Sequence, residues 1–334
     1  MVPDVGTVQR RIKSIPAVVA LALVLTCALP LWLPLTALVD VVRLRLRLPI
    51  TRLLLFALGW TWLETVGVAA AGALWLTGRR TDTAAHYRLQ RWWAANLMRV
   101  LQATTSLRFA VHGAEAMVPG PAVVLCRHAS LADSLLSAWI ITSRAGQRPR
   151  YVLKRELLLD PCLDVVGGRV PNHFVDRDAP DSSVELVALR ELAAGMGERD
   201  VAVIVPEGTR ATAAKRTRAL DRIAERDPAR AATLAPLRHL LPPRPAGAIA
   251  LIEGCPTADV ILAWHSGFDG LDTFGGIIRA LGRAAPEAHF EAVRIDRADV
   301  PAGPDLAPWL DQLWLRADHE VDRLLTNSSS PDRS

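Results

Sequence analysis

The hydrophobic pattern begins with two long apolar stretches near the amino terminus. Residues 15–39 contain no charged side chain, and residues 53–76 contain a single one, Glu64. Each stretch is long enough to cross a hydrocarbon core of about 30 Å as a helix. A cleaved signal peptide is the alternative for the first stretch, but the run exceeds the usual ~7–15 apolar residues and lacks a clear A-x-A site. The pattern predicts a membrane hairpin over residues 15–78, after a short basic leader at residues 1–14.

Four arginines and three prolines conflict with two simple membrane crossings. They lie between, within or beside the apolar stretches: Arg43, Arg45, Arg47, Arg52, Pro30, Pro34 and Pro49. If both ends of the hairpin were cytoplasmic, the arginines would be translocated against the positive-inside tendency, and the prolines disfavour uninterrupted helices. We therefore predict a hairpin that enters one leaflet and returns, with its arginines at anionic head groups. A hairpin that spans the bilayer stays open as the alternative.

Glu64 is an ionisable residue near the middle of the second apolar stretch. Such a position indicates a functional role by default, while a neutral, protonated carboxyl group that faces a partner helix has at least equal weight. Three glycines in the same stretch are expected to loosen this helix. They are Gly59, Gly67 and Gly72.

After residue 79 the pattern alternates between short apolar runs and helical periodicity. The apolar runs predict strands at Ala122–Cys126, 150–153, 201–205, 259–264 and 290–295. Helices are predicted at 84–102, 131–145, 181–197, 215–225 and 306–325. This alternation predicts an α/β fold, a mixed and mostly parallel sheet flanked by helices, with functional loops at the carboxyl ends of strands. We assign this domain to residues 79–325 and a disordered tail to residues 326–334.

Composition agrees with a membrane-associated protein. Of the 334 residues 51% are hydrophobic, which is high for a wholly soluble protein. The four cysteines are scattered without a C-x-x-C pair, so the sequence suggests no disulfide framework and no zinc site, and it favours a reducing, cytoplasmic-side setting. The net charge of +5 comes without a nucleic-acid-binding motif, which favours anionic lipids and anionic substrates as partners and predicts no nucleic acid.

The strand Ala122–Cys126 leads directly into Arg127 and His128. Within one continuous helix, His128 and Asp133 would point about 140° apart, so a carboxylate–imidazole contact requires a turn between them. A strand-to-helix turn supplies that bend. Asp133 would then orient the ring of His128, whose other nitrogen could take a proton from a substrate hydroxyl. The alternative is a capping box, in which Ser130 and Asp133 satisfy backbone N–H groups at a helix start.

Two further strand ends carry polar groups. The segment from Tyr151 onward contains the cations Lys154, Arg155, Arg169 and Arg177, which together would suit a phosphate; solvated arginines are the alternative for each one alone. The run VAVIVPEGTR places Glu207, Gly208, Thr209 and Arg210 at the end of the strand at 201–205, where an ordinary turn with a surface ion pair is the alternative.

The ordered combination of these motifs resembles a known family. His128-x4-Asp133, Phe174-x-x-Arg177 and Pro206–Arg210, after an N-terminal hydrophobic hairpin, are similar to the glycerophospholipid acyltransferases, specifically the lysophosphatidate (1-acylglycerol-3-phosphate) acyltransferases. The resemblance covers roughly residues 80–265. The run HLLPPRPAG at 239–247 is similar to the branch that includes lysocardiolipin acyltransferases. Arg127 replaces an asparagine that is common in the family, which bears on acceptor preference, and the family's fourth block is only loosely matched near residues 254–256.

The resemblance implies a role for each matched position. His128 would be the general base that deprotonates a glycerol hydroxyl, and Asp133 would orient it. Arg177, with Lys154 and Arg155, would hold the acceptor phosphate. The segment Glu207, Gly208, Thr209 and Arg210 would line the acceptor or thioester site.

The implied reaction transfers a fatty acyl group to the hydroxyl of 1-acylglycerol-3-phosphate and gives phosphatidate. Acyl-CoA or acyl carrier protein would serve as co-substrate, without a cofactor or a metal. The expected location is the membrane, with anionic lipids as partners and the catalytic domain on the cytoplasmic side. Another lysophospholipid or glycerol-3-phosphate is the alternative acceptor, and a membrane-surface lipid-binding protein is the non-enzymatic alternative.

Overall fold

A computed structural model describes residues 5–130, 133–175, 182–268, 271, 274–282 and 287–329. Within these residues seven strands form a sheet in the order β1-β7-β6-β2-β5-β3-β4. The strands are β1 Arg108–His112, β2 Ala122–Cys126, β3 Arg148–Lys154, β4 His173–Val175, β5 Asp200–Ile204, β6 Asp259–Ser266 and β7 Glu287–Ile295. Strand β2 runs parallel to both β5 and β6, β3 runs parallel to β5, and β7 is antiparallel to β6. The predicted mixed and mostly parallel sheet is confirmed.

Helices flank the sheet and precede it. The first four are α1 Val5–Cys27, α2 Leu29–Val42, α3 Pro49–Leu76 and α4 Thr83–Thr105. They are followed by α5 Asp133–Trp139, α6 Pro161–Val165, α7 Ser182–Ala193, α8 Ala213–Ala224, α9 Pro228–Leu234, α10 Pro245–Gly254, α11 Phe274–Gly282 and α12 Leu306–Ser329. Helix α5 continues into a π-helical turn, Ile140–Arg144. Residues 326–329, which we predicted to be part of a disordered tail, instead form the last turn of α12.

Contacts divide the chain into two compact units. One contains the described residues within 1–108, 153–177 and 270–286, and the other contains those within 109–152, 178–269 and 287–334. The predicted boundaries after residues 14 and 78 stay predictions.

The second unit has a core built on its central strands. All five side chains of β2 are buried, because the strand lies between two others and is covered by helices. The core continues through apolar residues of β5, β6, α7, α10 and α12, with Leu251 and Trp314 almost fully buried. This packing fixes the position of the residues that follow β2 and β5.

In the first unit, the uncharged run at residues 15–39 does not form one straight helix. Helices α1 and α2 meet at Ala28 with a bend of 73°. Pro30 lies in the first turn of α2, where the missing N–H of proline is tolerated, so the second helix begins in a new direction. By length and composition, α3 is the one helix among the described residues that could cross a membrane alone, and the bent pair α1–α2 passes the same test as a unit.

The connection from α2 to α3 is held by a buried carboxylate. Asp40, fully buried, accepts hydrogen bonds from the N–H groups of Ile50 and Thr51, both at 3.0 Å, and from the Thr51 hydroxyl at 3.1 Å. These bonds satisfy donors that the first turn of a helix leaves without an intrahelical partner. Arg52 donates to the carbonyl oxygen of Thr104 at 2.6 Å, and its predicted contact with lipid head groups stays a prediction.

Two of the three glycines in α3 mark close approaches. A Cβ atom at Gly59 would lie 2.5 Å from Cγ1 of Val100 in α4, and one at Gly67 would overlap Sγ of Cys162. Gly72 has no neighbour within 4 Å. The absent side chains at Gly59 and Gly67 therefore allow close packing of this helix against its neighbours.

Candidate functional site

The site in the second unit lies where β2 and β5 end side by side. Leu125 of β2 is in register with Ile204 of β5, and Cys126 is in register with Ala263 of β6. His128 follows β2 by two residues and Glu207 follows β5 by three. Parallel strands bring their carboxyl ends to one edge of the sheet, so the two motifs meet there.

Glu207 is the central polar group of this edge. Its carboxylate is almost fully buried, at 2% exposure. Oε1 accepts the backbone N–H of His128 at 3.0 Å, and Oε2 accepts the backbone N–H of Leu241 at 3.0 Å. One buried side chain thereby joins the strand end that carries His128 to the loop before α10.

The backbone of His128 is held from both directions. Its N–H donates to Glu207, and its carbonyl oxygen accepts the N–H of Ala211 at 3.3 Å. Both partners belong to the segment that follows β5. His128 itself is half-buried, while the neighbouring Ser130 is fully buried. The segment 207–211 therefore fixes the main chain that carries the His128 imidazole.

Gly208 makes the turn that brings this segment around. Its φ is +68°, in the left-handed region that favours glycine, and its N–H donates to the carbonyl oxygen of Val205 at 3.0 Å. Beyond the turn, Nζ of Lys215 in α8 donates to the Thr209 hydroxyl and to the carbonyl oxygen of Arg210, both at 3.2 Å. The turn and Lys215 together determine the path of the loop.

Arg127 and His265 form a buried pair beneath the site. Arg127 is 3% exposed and its Nη1 donates to the carbonyl oxygen of His265 at 2.5 Å. Nε2 of His265 lies 3.4 Å from the carbonyl oxygen of Arg127, and the His265 ring packs edge-on against Phe268. These contacts favour a structural role for His265, and they show that Arg127 points into the protein.

The predicted phosphate-binding cations belong to the other unit. Lys154 ends β3, and Arg155 begins a 3-10 turn, Arg155–Leu159. Arg169 donates from Nη1 to the carbonyl oxygen of Arg80 at 2.9 Å. Burial, with Arg11 and Arg80 nearby, lowers the pKa of Arg169.

Two predicted site residues lie outside what the structure describes. Asp133 begins α5, but its side chain is not among the described groups, so its contact with His128 stays a prediction. The same holds for the capping box that pairs Ser130 with Asp133. Arg177 lies outside the described residues. Among the described residues, no group of three or more His, Cys, Asp or Glu side chains is placed to hold a metal ion.

Two contributors were not found by sequence reasoning. The N–H of Leu241 belongs to the run HLLPPRPAG, which resembled a family branch but suggested no contact with Glu207, 34 positions away. This loop is fixed by Asp318 of α12, whose carboxylate accepts three consecutive backbone N–H groups at 2.7–2.8 Å. Lys215 begins the helix predicted at 215–225, and the sequence indicated no contact between it and Thr209 or Arg210.

Two comparisons with known proteins found a match. A family model described as Acyltransferase matches residues 108–252. The fold is similar to that of the 1-acyl-sn-glycerophosphate (LPA) acyltransferase PlsC from Thermotoga maritima, with a TM-score of 0.52, 15% identity, and coverage of 85% of this chain and 99% of that chain. No protein with a curated function matches the sequence. The match of residues 108–252 to the Acyltransferase family model supports the resemblance to the glycerophospholipid acyltransferases.

Proposed function

We propose that the protein transfers a fatty acyl group from a thioester, acyl-CoA or acyl carrier protein, to the free hydroxyl of 1-acylglycerol-3-phosphate and so forms phosphatidate. One observation carries the proposal: His128 lies at the carboxyl edge of the central strands, with its backbone fixed by Glu207 and Ala211. The family model over residues 108–252 includes this edge.

In the proposed reaction His128 acts as general base. Its imidazole removes the proton of the acceptor hydroxyl as the oxygen attacks the thioester carbonyl. The C–S bond then breaks, an ester and a thiol result, and the imidazolium returns its proton to the departing sulfur. Asp133 would hold the other ring nitrogen and fix the tautomer. Backbone N–H groups near Ser130 would stabilise the oxyanion.

Glu207 has a positioning role in this proposal. The family resemblance implies that Glu207 lines the acceptor or thioester site together with Gly208, Thr209 and Arg210. Both of its carboxylate oxygens accept backbone N–H groups, which favours orientation of His128 over contact with substrate. The proposed substrate contacts are Thr209 and Arg210, further along the loop. The proposed phosphate ligands are Lys154, Arg155 and Arg177.

The proposed location is the membrane surface, with the catalytic unit on the cytoplasmic side. Three leucines on one face of α2 are exposed, which suits contact with acyl chains. They are Leu31, Leu35 and Leu38. Leu44 and Leu46 are also exposed, in a loop that carries Arg43, Arg45 and Arg47, so this surface pairs apolar and cationic groups as interfacial segments do.

A panel of acceptors and donors tests the proposed function. Purified protein in mixed micelles is given labelled oleoyl-CoA or oleoyl-acyl carrier protein with lysophosphatidate, other lysophospholipids or glycerol-3-phosphate. We expect formation of phosphatidate with lysophosphatidate as the preferred acceptor. Preference for another lysophospholipid or for glycerol-3-phosphate would replace the acceptor but keep the chemistry. Binding to anionic vesicles without transfer to any acceptor would favour the lipid-binding alternative.

A further inference from the structure

Helix α6 is held by the N-terminal helices through a buried hydrogen-bonded carboxylate. Glu64 of α3 is fully buried. Its Oε2 accepts the backbone N–H of Cys162 at 2.9 Å, and its Oε1 accepts Nε1–H of Trp93 in α4 at 2.8 Å. The ionisable residue that stood out in the apolar stretch therefore binds the first turn of a short helix within the same unit.

Helix α1 binds the same short helix from its other end. Asp164 is 2% exposed and receives two guanidinium groups in bidentate geometry. Arg10 donates to its two oxygens at 3.0 Å each, and Arg11 donates to them at 3.1 and 3.0 Å. Arg11 also donates to the Asp164 carbonyl oxygen at 3.1 Å. Bidentate arginine–carboxylate pairs fix orientation as well as distance, so α6 has a defined position relative to α1.

A third contact depends on the absence of a side chain. Gly67 of α3 faces Cys162, and a Cβ atom there would overlap Sγ of the cysteine. Cys162 is buried at 5% exposure, and burial raises the pKa of its thiol, which keeps the sulfur neutral. Helix α6 therefore packs directly on the backbone of α3.

Helix α6 lies one turn beyond two of the proposed phosphate ligands. Lys154 ends β3 and Arg155 begins the 3-10 turn that runs to Leu159. The carbonyl oxygen of Leu157 in this turn accepts the N–H of Asp160 at 3.1 Å, and the Asp160 side chain caps α6 by accepting the N–H of Leu163 at 2.9 Å. A displacement of α6 would thus reach the cations through a segment of only a few residues.

From these contacts we infer that α1 and α3, through Glu64, Gly67 and the Arg10–Arg11–Asp164 cluster, position Lys154 and Arg155 for the acceptor phosphate. The N-terminal helices then set acceptor affinity in addition to holding the protein at the membrane. This inference rests on the proposed function, because it assigns the phosphate to these cations. Glu64, Gly67 and Asp164 are positioning residues in it, since none of them would contact substrate.

Two glycines in α3 provide a matched pair of variants. Gly67→Ala adds a methyl group against Cys162, while Gly72→Ala adds the same group on the same helix where no atom lies within 4 Å. Because a displacement of about 1 Å in a positioning group can cost up to about 10²-fold, we expect Gly67→Ala to raise the KM for lysophosphatidate roughly tenfold, with kcat and the KM for the acyl donor nearly unchanged. Gly72→Ala should match the wild type.

A compensating variant separates positioning from general damage. Cys162→Ala removes the atom that the new methyl group meets, so the double variant Gly67→Ala/Cys162→Ala should regain most of the acceptor affinity. Hydrogen exchange measured over residues 155–169 should be faster in Gly67→Ala and should return toward the wild-type rate in the double variant. Equal losses in kcat and in both KM values, or no rescue by Cys162→Ala, would overturn the inference.

Asp164→Asn offers a second route if Gly67→Ala fails to fold. It weakens both arginine contacts, and its control is Asp299→Asn, at an exposed turn of the second unit. We expect a raised acceptor KM with an unchanged donor KM. Transfer by the wild type combined with an unchanged acceptor KM in Asp164→Asn and Gly67→Ala would overturn this inference alone. Absence of transfer by the wild type with every acceptor would overturn the proposed function as well.

Discussion

The carboxylate of Glu207 holds the backbone N–H of His128 at 3.0 Å, although the two residues lie 79 positions apart in the chain. The bond crosses from the end of β5 to the end of β2, and the second oxygen of Glu207 extends it to Leu241. A buried carboxylate is costly unless it is hydrogen-bonded, and here both oxygens are engaged. The His128 main chain is therefore fixed by a side chain of the Pro206–Arg210 segment.

Replacement of Glu207 tests this positioning role. Glu207→Ala leaves two backbone N–H groups without this acceptor, so we expect a loss of about 2–6 kcal/mol in the free energy of unfolding, from two buried donors at about 1–3 kcal/mol each. The kcat for acyl transfer should fall by about 10²-fold or more, because the backbone that positions the His128 imidazole is no longer held by Glu207. Urea titration and initial-rate kinetics measure the two effects.

Glu207→Gln keeps one oxygen acceptor and should lie between the wild type and Glu207→Ala in both measurements. Glu198→Gln, at an exposed position of the same unit, makes the same chemical change away from the site and serves as the control. Wild-type kcat in Glu207→Ala would show that the bond to His128 has no part in catalysis.

Lys215 gives a prediction for the loop that follows β5. Its Nζ contacts the Thr209 hydroxyl and the carbonyl oxygen of Arg210, so Lys215→Met should loosen the proposed substrate contacts. We expect kcat/KM to fall by roughly tenfold while thermal stability changes little, because Lys215 is exposed. Arg222→Met on the same helix is the control, since Arg222 is also exposed and lies two turns away. Equal kinetics in the two variants would remove Lys215 from the site.

The depth of the N-terminal hairpin in the membrane can be measured by thiol labelling of a single introduced cysteine. Cys27 is exposed, whereas Cys126, Cys162 and Cys255 are buried. The folded variant Cys27→Ser should therefore react very little with thiol reagents. A single Leu46→Cys in that background places a thiol in the exposed arginine-rich loop. In sealed vesicles with the catalytic unit outside, a hairpin confined to one leaflet predicts no labelling by an impermeant reagent trapped in the lumen. Strong labelling from the lumen would establish a spanning hairpin.

Sequence reasoning found the centre of the sheet and lost accuracy at its edges. Strand β2 was predicted with its observed bounds because five buried apolar residues in a row are characteristic of a central strand. Strand β1 has a partly polar sequence, Arg108–His112, and β4 has three residues, so neither produced an apolar run long enough to be recognised.

The local motif positions could be read from the sequence, but the bonds between distant segments could not. His128 and Glu207 were recognised as strand-end residues, yet nothing in the sequence indicates that Glu207 binds the backbone of His128. Gly67 was expected to loosen α3, whereas the structure shows it in contact with Cys162, which is far away in sequence. Such contacts depend on the tertiary arrangement of α3 and α6, which periodicity does not specify.

The most direct test of the central claim is acyl transfer by His128→Ala beside His319→Ala, an exposed histidine on α12. Both variants are assayed with oleoyl-CoA or oleoyl-acyl carrier protein and the preferred acceptor, after circular dichroism establishes that they are folded. A general base predicts a loss of about 10²–10⁴-fold in kcat for His128→Ala and wild-type kcat for His319→Ala. Equal activity in the two variants would contradict the assignment of His128 and move the chemistry away from the end of β2.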